Sequence, residues 1–182
     1  MSKRFLWVDL EMTGLNEQED HILEVAAVIT DLELKPIEEF HRVVFQSQSI
    51  LDAMNDWCKK THGESGLTAA VPQGTPLKEV ERELLTFIDR HFSAKDRPVL
   101  CGNSIGNDRR FIDRYCPELA KRLHYRMIDV SSFKEIFRDK YGIEFKKRNS
   151  HRAVEDILES IRELEHYLSF VKIPPSTKEE FV

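Results

Sequence analysis

Apolar positions along this chain follow two rhythms. Short apolar runs at Phe5–Val8, at His21 to Thr30 and at Pro98 to Cys101 have the composition of buried strands. Glu39 to Phe45 alternates polar and apolar residues and reads as a third strand, and Arg126 to Val130 as a last one. Elsewhere the spacing is helical. Leu77, Val80, Leu84, Phe87 and Ile88 mark a helix that starts at a Thr75 N-cap with Pro76 in its first turn and runs to about Phe92. Phe111, Ile112 and Tyr115 mark one that Asn107-Asp108 opens and Pro117 ends. Ser131 caps another, running to about Lys140 and closed by Gly142. Ser150 caps a final helix with Ile157, Ile161, Leu164 and Leu168 as its apolar stripe, stopped by Pro174-Pro175. Residues 46–75 carry turn formers and read as short helices and loops. The expected order is β-β-β, then α-β-α-β-α-α, an α/β domain whose sheet opens as an antiparallel meander.

Two acids interrupt the first apolar run. Phe5 to Leu15 reads F-L-W-V-D-L-E-M-T-G-L. Asp9 and Glu11 are two apart, so on a strand they share a face. Two anions at the end of a core strand repel and lose hydration, at a cost of several kcal/mol as an order of magnitude. A divalent cation would offset that cost. The plainer alternative is a strand whose acids face water.

Composition narrows the classes. At 182 residues the chain is long enough for one full core, and 41% apolar with 32% charged residues fits a globular protein. No apolar stretch at the N-terminus is long enough for a signal peptide, and none approaches a membrane span. Cys58, Cys101 and Cys116 form no C-x-x-C pair and favour reduced thiols in the cytoplasm. A net charge of −5 argues against gripping long duplex nucleic acid, which calls for a basic surface. A phosphate-bearing ligand would be short, held by a few contacts and a metal.

Further acids sit at element ends. Asp108 follows a strand and a Gly-Asn turn, where plain N-capping is the common role. Asp129 lies in the last strand. His151, Glu155 and Asp156 open the final helix. Asp156 has Ala153 and Ser160 as small neighbours and flanks the apolar stripe, whereas Glu155 sits among Glu159 and Arg162 on a solvated face. Yet His151 and Glu155 are four apart and share a helix face. Spacing alone therefore leaves both acids open.

Four blocks then carry a resemblance: D-L-E-M-T-G-L at Asp9 to Leu15, G-N-S-I-G-N-D-R-R-F at Gly102 to Phe111, Y-R-M-I-D-V-S-S at Tyr125 to Ser132, and H-R-A-V-E-D-I at His151 to Ile157. In this order the chain resembles the oligoribonuclease family, among the 3′-to-5′ exonucleases named for three aspartates, a glutamate and a histidine. The resemblance implies an RNase H-like fold: a mixed sheet with a three-strand antiparallel meander plus parallel strands, flanked by helices. It implies a single exonuclease domain over residues 1–175 and a polar tail at 176–182. The family's histidine lies five residues before its last aspartate, which picks Asp156.

The resemblance makes Asp9, Glu11, Asp108 and Asp156 ligands for two ions about 4 Å apart, Mg²⁺ or Mn²⁺ given the oxygen donors. One ion would activate water and the other stabilise the leaving 3′ oxygen. His151 is the implied general base. Leu15 is implied as a wedge against a terminal base and Trp57 as a stacking platform, although either alone is more often core. Ser104, Arg126 and Ser131 match positions that cap the 5′ phosphate of a very short oligonucleotide. Tyr125 and His62 match positions that reach the site across a homodimer, and Tyr125 also has a direct active-site role by analogy. The implied activity is removal of nucleoside 5′-monophosphates from very short single-stranded RNA, dinucleotides in particular. The rivals are a proofreading-type exonuclease on single-stranded DNA and a non-catalytic nucleotide-binding module.

Overall fold

The computed structural model describes residues 3–146 and 152–172. Among them five strands form one sheet in the order β3-β2-β1-β4-β5. β1 (Phe5–Met12), β2 (Ile22–Thr30) and β3 (Pro36–Val43) form the expected antiparallel meander. β4 (Leu100–Gly102) lies parallel to β1, and β5 (Met127–Asp129) parallel to β4. The helices are α1 (Gln48–Ala53), α2 (Asp56–Glu64), α3 (Leu67–Ala70), α4 (Leu77–Asp89), α5 (Gly106–Tyr115), α6 (Pro117–Arg122), α7 (Val130–Tyr141) and α8 (Ala153–Leu168). No helix of the described residues is long and apolar enough to cross a membrane.

β1 is the central strand, and both its faces are covered. Leu6, Val8, Leu10 and Met12 point into one core layer with Val80, Leu84, Phe87 and Ile88 of α4 and Phe111 and Ile112 of α5. Trp7 points into the other, with Ala26, Val28, Cys101 and the α8 residues Ile157, Ile161, Leu164 and Tyr167. The Trp7 indole is wholly buried, and its Nε1–H donates to Thr30 Oγ1 at 3.1 Å. Strand alternation then carries Asp9 and Glu11 onto the Trp7 face, at the carboxyl end of the strand. Each large apolar side chain buried there is worth roughly 1.5–3 kcal/mol. That layer can therefore hold two anions at its rim.

Several boundaries depart from the sequence expectation. Thr75 does not cap α4. Its N–H donates to Val43 O at 2.9 Å and its carbonyl accepts from Phe45, so it extends the sheet and Pro76 takes the cap position. α4 also stops at Asp89, short of Phe92. Asp129, not Ser131, caps α7, because its carboxylate accepts the Ser131 N–H at 2.9 Å. Pro117 ends α5 but also starts α6, in a first-turn position where its missing N–H costs nothing. Leu168 falls in the last turn of α8 and is exposed, so the buried stripe ends at Leu164 and Tyr167. Ser150, the expected cap of that helix, lies outside the described residues.

Candidate active site

The carboxyl ends of the parallel strands β1, β4 and β5 fall on one edge of the sheet, where α/β sheets commonly place their sites. Asp9 and Glu11 project from β1. Asp156 comes down from the first turn of α8. Their carboxylate oxygens lie within 4.8 Å of one another. Asp156 and Ala153 lie one helical turn apart, and Ala153 and Ser160 are buried beside it, so the small neighbours let α8 approach closely. Glu155 is exposed on the other flank. Of the two acids left open by spacing, Asp156 is the one that lies beside Asp9 and Glu11.

Asp108 stands apart from this trio. It is buried in the first turn of α5, and one of its oxygens accepts the Leu10 N–H at 2.9 Å. It thus braces the strand between the two acids of β1. Burial pushes its carboxyl up to about 7. Glu11 is pushed further, to about 8, first by burial and then by the charges of Asp156, Glu24 and Asp108. Two carboxyls so disfavoured as anions, beside Asp9 and Asp156, make a place whose charge a divalent cation would offset. The donor set is all hard oxygen, which suits Mg²⁺ or Mn²⁺.

Beside the trio opens a cleft of about 440 Å³, lined by Leu10, Glu11, Met12, Gly14, Leu15, Asn55, Trp57, Cys58 and His62. Leu15 and Trp57 are each 63% exposed on its rim, which a core role would not allow. Leu15 rides on a braced loop. The Asp20 carboxylate accepts from Thr13 Oγ1 and from Asn16 N, both at 2.9 Å, and Tyr115 Oη donates to the Asp20 carbonyl at 2.7 Å. The Asp20 carboxylate fills the space beside Gly14, where an added Cβ would sit 2.4 Å from Oδ2. Trp57 stands in the first turn of α2, fixed by Asn55, whose side chain accepts the Cys58 N–H at 2.8 Å.

His62 corrects an expectation. It does not reach out toward a second copy: it is 1% exposed, and its Nε2–H donates to Met12 O at 2.9 Å. Its Nδ1 lies 3.9 Å from Glu11 Oε2. A break in the β1–β2 register between Glu11 and Met12 presents that carbonyl, a common device beside functional sites. His62 therefore packs beside its own chain's Glu11.

Ser104 and Ser131 are gathered round Asp129, which accepts Ser104 N at 2.9 Å, Ser131 N at 2.9 Å and Ser131 Oγ at 2.7 Å. Ser104 adopts a left-handed φ of +53°, a conformation an L-residue holds at a cost of about 1–2 kcal/mol. Arg126 lies at the far end of β5 from this pair, its guanidinium 5.3 Å from the Tyr125 ring. Tyr125 is 74% exposed and stacks on His124 with ring centroids 4.5 Å apart. His151 lies outside the described residues.

One functional neighbour escaped the sequence reading. Glu24 stands opposite Glu11 across β1–β2 and is wholly buried. Burial pushes its carboxyl up, but the hydrogen bond from His41, the Ala153 amide and the charge of Arg152 outweigh it and hold it below the ordinary value. Within an apolar nine-residue run, nothing local signals such a role.

Comparison with known proteins agrees with this geometry. The profile of the RNase_T family, described as Exonuclease, matches residues 6–164. The chain is 46% identical over 176 residues to a human protein named mitochondrial oligoribonuclease, covering 92% of this chain and 73% of that one. It is 44% identical over 169 residues to the oligoribonuclease of Marinobacter nauticus, covering 90% and 93%. Among solved structures, the zinc-bound E. coli exonuclease I complex with single-stranded DNA superposes with a TM-score of 0.72 at 14% identity, covering 93% of this chain and 41% of that one. Exonuclease I of Methylocaldum szegediense gives 0.65 at 19%, covering 91% and 40%. The chain thus spans about two fifths of those exonucleases, and the likeness to them is one of fold.

Proposed function

The chain belongs to the oligoribonuclease family of exonucleases, and on that premise we propose that it hydrolyses very short single-stranded RNA from the 3′ end, dinucleotides in particular, releasing nucleoside 5′-monophosphates. The observation that carries this reading is the trio Asp9, Glu11 and Asp156 at the mouth of a cleft rimmed by Leu15 and Trp57. Asp9, Glu11, Asp156 and Asp108 would hold two divalent ions, Mg²⁺ or Mn²⁺. When bound, these neutralise the acids, make water more acidic and ease departure of the 3′ oxygen.

The chain's own residues do the rest. Leu15 wedges against the terminal base and Trp57 stacks on a base, so the scissile phosphate is delivered to the acids. Ser104 and Ser131 at one end of β5 meet a 5′ phosphate that Arg126 reaches from the other end, and a cap of that kind reads length without a basic groove. His151 takes the proton of the attacking water. A homodimer accords with the exposed Tyr125, Met127 and Ile136, which offer a second copy apolar surface to cover. A cytoplasmic setting accords with three free, buried thiols.

The deciding experiment is product analysis on 5′-labelled RNA of two to ten nucleotides, with matched DNA, in Mg²⁺ and in EDTA. The expected result is nucleoside monophosphate from dimers fastest, none in EDTA, and slower turnover of DNA. Binding without metal-dependent product would refute the reading.

A further inference from the structure

Glu24 is a wholly buried carboxylate placed beside a group of anions, on a strand whose nine residues are all buried. A buried charge in that position needs partners. His41 of β3 lies with Nε2 2.6 Å from Oε1. The Ala153 N–H donates to Oε2 at 3.3 Å, and Arg152 reaches Oε1 at 3.5 Å. Three elements therefore meet on one carboxylate: β2, β3 and the start of α8.

The meeting point has a consequence for the site. The first N–H groups of a helix have no partner within it. Arg152, at the cap position of α8, offers no side-chain hydrogen bond to them. Glu24 supplies that acceptor from the sheet. Ala153 and Asp156 are three apart and share a face of α8. A shift at Ala153 therefore moves the Asp156 carboxylate relative to Asp9 and Glu11.

We infer that Glu24, held by His41, is a positioning residue: it latches the first turn of α8 to the sheet so that Asp156 meets the two acids of β1. The inference rests on the reading of that trio as a metal site. Glu24 touches neither substrate nor the reacting atoms.

The test uses the full-length protein with Glu24→Gln, which is nearly isosteric, and His41→Ala. Folding is checked by circular dichroism, Mn²⁺ affinity by titration calorimetry without substrate, and kcat and KM on an RNA dinucleotide. Glu24→Gln should weaken Mn²⁺ binding and lower kcat by about tenfold, the usual effect of residues behind metal ligands, with KM within twofold. His41→Ala should move both the same way by a smaller factor. Mn²⁺ binding within twofold of wild type in folded Glu24→Gln overturns the latch. So does a loss there with His41→Ala unchanged, because Glu24 would then act only through its charge. Should Glu24→Gln not fold, His41→Ala carries the test alone, and Mn²⁺ binding indistinguishable from wild type overturns it. A wild-type protein with no metal-dependent cleavage would instead fail the reading of the site itself.

Discussion

Replacing Asp156 by Asn should stabilise the metal-free protein while destroying its activity. The substitution keeps the shape of the side chain and removes one ionisable group from three carboxyls whose oxygens lie within 4.8 Å of one another. Two unit charges at that distance interact by roughly 3–4 kcal/mol at an effective dielectric near 20. Asp156 is half-buried, so solvent screening reduces the gain to about 1–3 kcal/mol. In a domain of this size that raises Tm by about 2–10 °C. The gain should depend on pH. Glu11 titrates near 8 in the folded chain against an ordinary 4.5. A raised carboxyl contributes stability that is fully present below the unfolded value and is lost as pH climbs through the folded one. Metal-free wild type should therefore weaken between about pH 5 and pH 9, and the Asn variant should weaken less. Scanning calorimetry in EDTA at pH 6 and pH 9 reads both effects. Adding Mn²⁺ should then raise the wild-type Tm above that of the variant. An Asn variant less stable than wild type at pH 9 in EDTA would show that mutual repulsion of these acids is not what the fold works against.

Three further outcomes follow from the site. Gly14→Ala forces the Asp20 carboxylate aside and loosens the Leu15 loop; KM for a dinucleotide should rise several-fold, with Mn²⁺ affinity unchanged by calorimetry. Trp57→Ala removes an exposed stacking face, so oligonucleotide Kd should rise by roughly 5–150-fold, equivalent to about 1–3 kcal/mol, in fluorescence anisotropy with metal-free protein, while Tm hardly moves. Glu155→Gln alters an exposed side chain, and both stability, within about 0.5 kcal/mol, and turnover should stay near wild type.

How far the sequence discloses this architecture depends on how local each signal is. The acids of β1 are legible because an apolar run and a two-residue spacing are both visible within eight positions. Asp156 and Glu155 are not separated by local spacing; the family pattern of a histidine five residues before the last aspartate is what favours Asp156 in the sequence. His62 is not, since its burial depends on α2 folding over a break in the β1–β2 pairing, fifty positions from its partner Met12. The helix caps at Thr75 and Ser131 misled for a related reason. Both are good capping residues, but the sheet claims Thr75, and Asp129 is brought to its place by pairing with Gly102.

Glu11 and Glu24 show what separates a site from a scaffold in this fold. They face each other across one strand pair, both are acids, and both are largely or wholly removed from water. Glu24 is given protein partners from two other elements, β3 and the start of α8, and its carboxyl is held below the ordinary value. Glu11 has Asp156 and Asp108 as neighbours and is pushed up to about 8 despite the charge of Arg152. Folding thus satisfies one acid internally and leaves its partner among like charges, which the proposed cation would offset. Neither identity nor burial distinguishes the two, so no list of acidic residues could. The sign of the charge that each meets does, and that sign is set by which groups arrive there: His41 of β3 with Arg152 and the Ala153 amide at the start of α8 for Glu24, Asp156 of the first turn of α8 and Asp108 of α5 for Glu11.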